Sequence, residues 1–223
     1  MRARNSVGFL ALVMMPLLFG GGRRAEAVVL FSNLGIGDSF DVSSAWLVGD
    51  VAGTFPLFLE QAMSFSPPAG SDYRLDRIEL AVSHLVGPNL GMNVTLWGGT
   101  AAPTTVLGGF HLESFLLAEP AVVGADSLLR PTLVGGAQYW LSALPSSRDA
   151  IQAWYLNDIG DLGDRAERPL AIWSTFADEP RGAFRVTGTP VSPIPVSPIP
   201  EPASFLLVSS GLLGLAGWRR RLF

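Results

Sequence analysis

The middle of this chain is predicted to be all-β, a single β-sandwich of jelly-roll type. Three observations carry that prediction: apolar and polar residues alternate over short stretches, glycine- and proline-rich turn signals separate the stretches, and strands do not alternate with helices. Among 223 residues there are 25 glycines and 17 prolines but only 15% charged residues, a composition that favours turn-rich β structure.

The clearest strand runs from Tyr73 to Val86, where Ile78, Leu80 and Val82 share one face while Arg77, Glu79 and Ala81 point away. Further strands are expected at Val28 to Ser32, Gln61 to Phe65, Asn93 to Trp97, Phe110 to Leu116, Tyr139 to Leu144, Ile151 to Leu156, Leu170 to Ser174 and Ala183 to Thr187. Turn signals lie between them at Pro67-Pro68-Ala69-Gly70, Gly87-Pro88-Asn89, Gly98-Gly99, Gly135-Gly136, Asn157-Asp158 and Glu179-Pro180-Arg181-Gly182.

The chain has no cysteine and two histidines, which excludes disulfide scaffolds, thiol nucleophiles, iron–sulfur clusters and thiolate zinc sites. All 15 basic residues are arginine, set against 19 acidic residues for a net charge of −4. Without a clustered basic patch, nucleic acid is not an expected partner.

Both ends read as addresses. Arg2 and Arg4 precede a charge-free apolar run from Val7 to Phe19, followed by Gly20-Gly21-Gly22, Arg23-Arg24 and the small-residue site Ala25-Glu26-Ala27. That order is a secretory signal peptide over residues 1–27, with the Sec machinery and signal peptidase as partners and cleavage expected after Ala27. Thirteen apolar residues are too few for a spanning helix, which needs about 20. The rival is an uncleaved anchor, favoured by the Arg23-Arg24 pair.

At the other end, Pro200-Glu201-Pro202 precede an uncharged run from Ala203 to Trp218 and then Arg219-Arg220-Arg221. Sixteen residues at about 1.5 Å each reach roughly 24 Å, a short transmembrane helix with Trp218 at an interface and the arginines left cytoplasmic. The bulk of the chain then faces outward, in agreement with export from the N-terminal side.

Tripeptide, short apolar run and terminal arginine cluster together resemble the PEP-CTERM sorting signal of exopolysaccharide-producing Gram-negative bacteria. The resemblance covers about the last 24 residues, with Pro200, Glu201 and Pro202 matching the motif and Arg219, Arg220 and Arg221 its basic end. It implies recognition by an exosortase, a membrane-embedded cysteine transpeptidase-like enzyme that cuts near the tripeptide. A plain C-terminal membrane anchor with an incidental tripeptide is the competing reading. Before the tag, residues 191–199 belong to a duplicated Val-Ser-Pro-Ile-Pro run, expected to be an extended proline-rich stalk. At about 3.1 Å per residue, ten such residues span roughly 30 Å.

The sandwich domain is assigned to residues 28–190. It holds eight arginines and 17 carboxylates, a charge near −9 that favours solubility and disfavours direct adhesion to acidic polymers. Its elements resemble the choice-of-anchor type of β-sandwich that precedes such tails, through Gly35-Ile36-Gly37-Asp38-Ser39-Phe40 with Trp46, Gln61 to Phe65, Leu80 to Trp97, and Gly136 to Leu141 followed by Trp154 and Trp173. That resemblance implies a fold and little about activity.

No nucleophile elbow, P-loop, dinucleotide fingerprint or H-E-x-x-H motif occurs, and no catalytic residue is assigned. His84 and His111 read as ordinary strand or loop histidines; a triad assembled in space would have to use one of them. Asp158, Asp161 and Asp164 recur every three residues in a glycine-containing segment from Asn157 to Glu167, oxygen ligands that suit calcium. With Arg165 and Arg168 beside them, a solvated turn is the simpler reading, and no cofactor is assigned. Tyr139, Trp140, Trp154, Tyr155 and Trp173 are candidates for stacking on sugars if exposed and for core mass if not. Because neighbouring strand residues point to opposite faces, one ring of each adjacent pair is expected to reach solvent. Asn93-Val94-Thr95 is formally a glycosylation acceptor and more simply part of a strand.

The function these features predict is that of an exported, non-enzymatic surface or matrix protein associated with exopolysaccharide or biofilm, with a carbohydrate-binding module as the alternative.

Overall fold

A computed structural model describes residues 26–50, 58–113, 115–169 and 171–191. They form thirteen strands and no helix: β1 (Val28–Ser32), β2 (Asp41–Asp50), β3 (Phe58–Phe65), β4 (Tyr73–Val86), β5 (Met92–Gly98), β6 (Thr105–Leu112), β7 (Ala121–Asp126), β8 (Thr132–Leu133), β9 (Tyr139–Pro145), β10 (Ile151–Leu156), β11 (Leu162–Arg168), β12 (Ser174–Pro180) and β13 (Phe184–Pro190). No described helix is long and apolar enough to cross a membrane.

The strands run in the order β1-β13-β4-β10-β2-β3-β9-β5-β6, with β7 and β8 on the free side of β4 and the β11–β12 hairpin on β3. All of these ladders are antiparallel. Instead of two separate sheets, one sheet curls over itself. The hinge is the short β2–β3 ladder, where Gly49 faces Leu59 and Asp50 faces Phe58. A sandwich-like core results, because both halves turn their inner faces to the same interior.

Alternation fixes which residues fill that interior. Ile78, Leu80 and Val82 of β4 do face it, joined by Val94 and Leu96 of β5, Met63 and Phe65 of β3, and Leu141 of β9. Rings cross between the halves: Phe65 lies 6.0 Å from Phe31 and 6.1 Å from Phe184. Two smaller clusters cover the outer faces. On the β4–β10 half, Ala81, Ala153, Tyr155 and Ala183 pack beneath Leu34 and Phe40 of the β1–β2 connection. On the β3–β9 half, Ala62, Trp140 and Ala166 pack with Trp97 and Trp173.

Several expected boundaries differ. The strand placed at Phe110 to Leu116 is β6, which pairs with β5 from Gly98↔Thr105 to Met92↔Leu112 and ends there. Residues 171–173, within the strand expected at Leu170 to Ser174, form no strand; β12 begins only at Ser174 and pairs with β11 from Glu167↔Ser174 to Leu162↔Pro180. The acidic segment read as one loop to Glu167 is a turn only to Asp161, since β11 begins at Leu162 between β3 and β12. Strands β2, β7, β8 and β11 lack a clean apolar alternation and were not expected.

Candidate functional site

Where the chain enters and leaves the domain is set by β1 and β13, which lie side by side and antiparallel. Val28 pairs with Gly188, and the Val191 amide donates to the Asp72 carbonyl at 2.8 Å. Both terminal segments therefore depart from the same end of the sheet. The expected cleavage residue Ala25, the linker after Val191, the sorting residues Pro200, Glu201 and Pro202, the basic residues Arg219, Arg220 and Arg221 and the expected C-terminal helix lie outside the described residues; Ala27 is exposed.

The same end carries an open depression of about 720 Å³, bounded by the β5–β6 and β8–β9 connections and lined by Thr100, Thr104, Thr105, Thr132, Gln138 and Tyr139 among others. None of its lining residues is charged. One of its hydroxyls is positioned by the backbone: Gly98 and Gly99 close the turn, and Thr104 Oγ1 donates to the Gly98 carbonyl at 2.8 Å. Tyr139, at the floor, uses its hydroxyl to accept from the Val134 amide at 2.7 Å. A second depression of about 370 Å³ shares Ser66 and Gln138 with the first and adds Asp164 and Arg181. The first depression offers neutral donors and acceptors, whereas the second adds a carboxylate and a guanidinium.

Four of the five aromatic candidates are buried. The expectation that each adjacent pair exposes a ring fails because both faces of the curled sheet are covered. Trp154 points to the core and donates to the Ala183 carbonyl at 3.0 Å, while Tyr155 lies under Phe40 and shares a hydrogen bond with Ser83. Tyr139 faces the interior against Phe65, and Trp140 faces outward but is covered, donating to the Gly99 carbonyl at 2.8 Å. Trp173 is half-buried, edge-on to Trp97 at 5.9 Å. The Arg168 guanidinium sits 4.7 Å from the Trp173 ring and 5.3 Å from Trp97, and its charge is met by Glu60.

The three spaced aspartates do not converge. Asp161 is engaged by Arg181 through two bonds of 2.8 and 2.7 Å and by Asn33 at 3.1 Å. Asp164 accepts from Gln138 at 3.1 Å, and Asp158 rests against Gly35, where an added Cβ would come within 2.5 Å of its carboxylate. Among the described residues, no three histidine or carboxylate side chains gather where they could hold one metal ion.

The histidines are also apart in role. His84 Nε2 meets the Gly87 carbonyl at 2.9 Å; His111 Nδ1 meets Asn93 Oδ1 at 3.1 Å and Ser146 Oγ at 3.5 Å. None of these three bonds involves a carboxylate.

Sequence reasoning missed the arginines, which tie the fold together. Arg185 bridges Glu79 at 2.5 Å and Asp38 at 2.7 Å, and those partners, Asp38 first, raise its pKa further. Arg77 joins Asp126 and Glu79, the Asp126 hydrogen bond being the main cause of its raised pKa. A count of opposite charges near each predicted strand would have hinted at such pairing, but not at partners over a hundred residues away.

Comparison with known families identifies one segment: residues 198–221 match the PEP-CTERM protein-sorting motif. No curated protein matches the chain. The matched segment contains the tripeptide, the apolar run and the arginines, so the chain carries a sorting signal of the kind that marks an exported protein for membrane anchoring and processing by an exosortase-type enzyme.

Proposed function

We propose that this is a non-enzymatic component of the extracellular polysaccharide matrix, delivered there by its sorting tail. The single observation that carries the reading is the motif match at residues 198–221, which makes the β-domain the cargo of an export and processing route. The domain's own properties are those of passive cargo: a charge near −9, six of its eight arginines engaged in ion pairs, and no local sequence that marks an activated nucleophile. No cofactor is needed for this role.

A direct test replaces the tripeptide in the producing cell. Pro200→Ala, Glu201→Gln and Pro202→Ala together should hold the protein in the membrane fraction, while the unaltered chain moves to the polysaccharide fraction. Equal partitioning of the two would contradict the reading.

A carbohydrate-binding module is the second reading, favoured by the uncharged threonine-lined depression at the loop end of the domain. Neutrality there would let an acidic domain approach a glycan without local repulsion. This reading predicts that migration of the domain is retarded in gels cast with a neutral glucan and that Thr105→Trp, which fills the depression, abolishes the retardation. Unchanged migration of the parent domain in neutral and acidic glycans alike would remove this alternative.

A further inference from the structure

Polar side chains gather at the end of the core that is closed by the β4–β5 connection, residues 87–91. His84 of β4 and Gln152 of β10 stand directly opposite each other in their ladder. They lie two residues from Val82 and Trp154 respectively, which face the core, so both side chains enter the interior from the same sheet face. His84 is 4% exposed and Gln152 0%. Each reaches the same connection. His84 Nε2 meets the Gly87 carbonyl at 2.9 Å, and Gln152 Nε2 donates to the Gly91 carbonyl at 3.0 Å. Asn89, midway between those glycines, donates through Nδ2 to the Phe115 carbonyl.

A carbonyl oxygen can only accept, and that fixes all three orientations. His84 must hold its proton on Nε2, which leaves Nδ1 a bare acceptor in the neutral ring. Gln152 and Asn89 must turn their amide nitrogens to the carbonyls, which leaves Oε1 and Oδ1 without a donor. Among the described residues, four buried side-chain polar atoms receive no bond from any protein group: these three and Arg165 Nε. Three of the four therefore belong to one connection, and all three are acceptors.

A set of acceptors alone needs a donor from outside the chain. These acceptors are neutral, and a neutral set compensates a buried cation poorly. Water carries two donors of its own and is the usual partner of buried polar groups that the chain leaves unsatisfied. We propose that the connection 87–91 closes over a hydration site, where internal water donates to His84 Nδ1 and Gln152 Oε1 across the strand pair and to Asn89 Oδ1 under the connection. Each water has two protons, so three acceptors need more than one molecule. The water completes a joint that ties β4, β10 and the segment at Phe115 to one connection, and the Ser146 amide, donating to the Gly91 carbonyl at 3.0 Å, adds the end of β9.

The test uses the full chain in detergent, labelled with nitrogen-15, at a pH where the imidazole is neutral. Long-range nitrogen–proton correlation reads the His84 tautomer, and water-selective Overhauser spectra read contacts of bound water with the His84 ring and the Gln152 amide. The expected result is the Nε2–H tautomer, with Nδ1 shifted as a hydrogen-bond acceptor and water contacts at both residues. Gln152→Met keeps the side-chain length and removes the acceptor; it should weaken the water contact at His84 several-fold. The Nδ1–H tautomer, or no water contact at either residue of the folded parent, would overturn the proposal, and the parent decides this even where the variant does not fold. A folded Gln152→Met chain with the His84 contact unchanged would show that the two residues share no water and would overturn it as well. Replacement of the water contacts by ammonium contacts in ammonium buffer would assign the site to a cation, with the same consequence.

Discussion

Arg165 lies inside the protein with its guanidinium between two rings, 4.0 Å from the centroid of Trp46 and 4.5 Å from Phe176. Its charge is met by Glu167 at 2.8 Å and by Gln61 at 3.0 Å, but its Nε has no hydrogen-bond partner. Such a group is retained only if the rings and the ion pair together offset its desolvation. Arg165→Ala should therefore destabilise the domain by about 3 kcal/mol in urea unfolding, through loss of the pair and of the packing between the rings. A change below about 1 kcal/mol, the range of surface pairs, would contradict this account. Asp41 shows the opposite, solvent-exposed case. It accepts from the Ser43 hydroxyl at 2.6 Å and the Ser43 amide at 2.8 Å, which lower its pKa below the ordinary 3.8, the side-chain bond contributing most. A depressed folded pKa adds stability above the unfolded value and loses it as pH falls through the folded one. An NMR titration should place the Asp41 midpoint below 3.8, and Ser43→Ala should move it upward.

At the scale of elements, alternation was a sufficient guide where a strand has one simple buried face. Tyr73 to Val86 reads correctly because Ile78, Leu80 and Val82 face the core. Ala81 on the opposite face is also buried, since Leu34 and Phe40 lie over it, and no local pattern announces a loop that folds back. For β11 the sequence Asp164-Arg165-Ala166-Glu167-Arg168 looks solvated, yet it pairs with β3 on one side and β12 on the other. Arg165 pairs with the nearby Glu167, but its hydrogen bond to the Gln61 amide and the ion pair of Arg168 with Glu60 reach residues more than a hundred positions away, which a short window of sequence cannot contain. The aromatic candidates failed for the same reason: exposure depends on the outer layer, and that layer comes from elsewhere in the chain. Where β10 meets β13, Gly182 leaves room for the Trp154 indole, whose ring atoms would lie 2.6 to 2.7 Å from an added Cβ. Gly182→Ala should cost about 1–3 kcal/mol by overpacking, measured by thermal or denaturant unfolding, with the near-ultraviolet signal of Trp154 altered. A variant as stable as the parent would mean that this junction is looser than described.

For the molecule as a whole, the legible part was the address and the obscure part was the cargo. Tripeptide, apolar run and arginines occur in a fixed order at one terminus, so their meaning survives without tertiary structure. The depression lined by Thr100, Thr104, Thr105 and Thr132 brings together three separate chain segments and has no signature in any one of them. Curling of the sheet brings β1 beside β13, and with them both departures of the chain. The central claim is that the tail from Pro200 onward is a removable sorting signal. Terminal peptide mapping by mass spectrometry tests it most directly, on native protein recovered separately from the membrane and extracellular fractions of its producing cell. The account predicts an extracellular form whose C-terminus lies near Glu201 and which lacks the apolar run; a chain that runs intact to Phe223 and stays in the membrane of cells possessing an exosortase would contradict it.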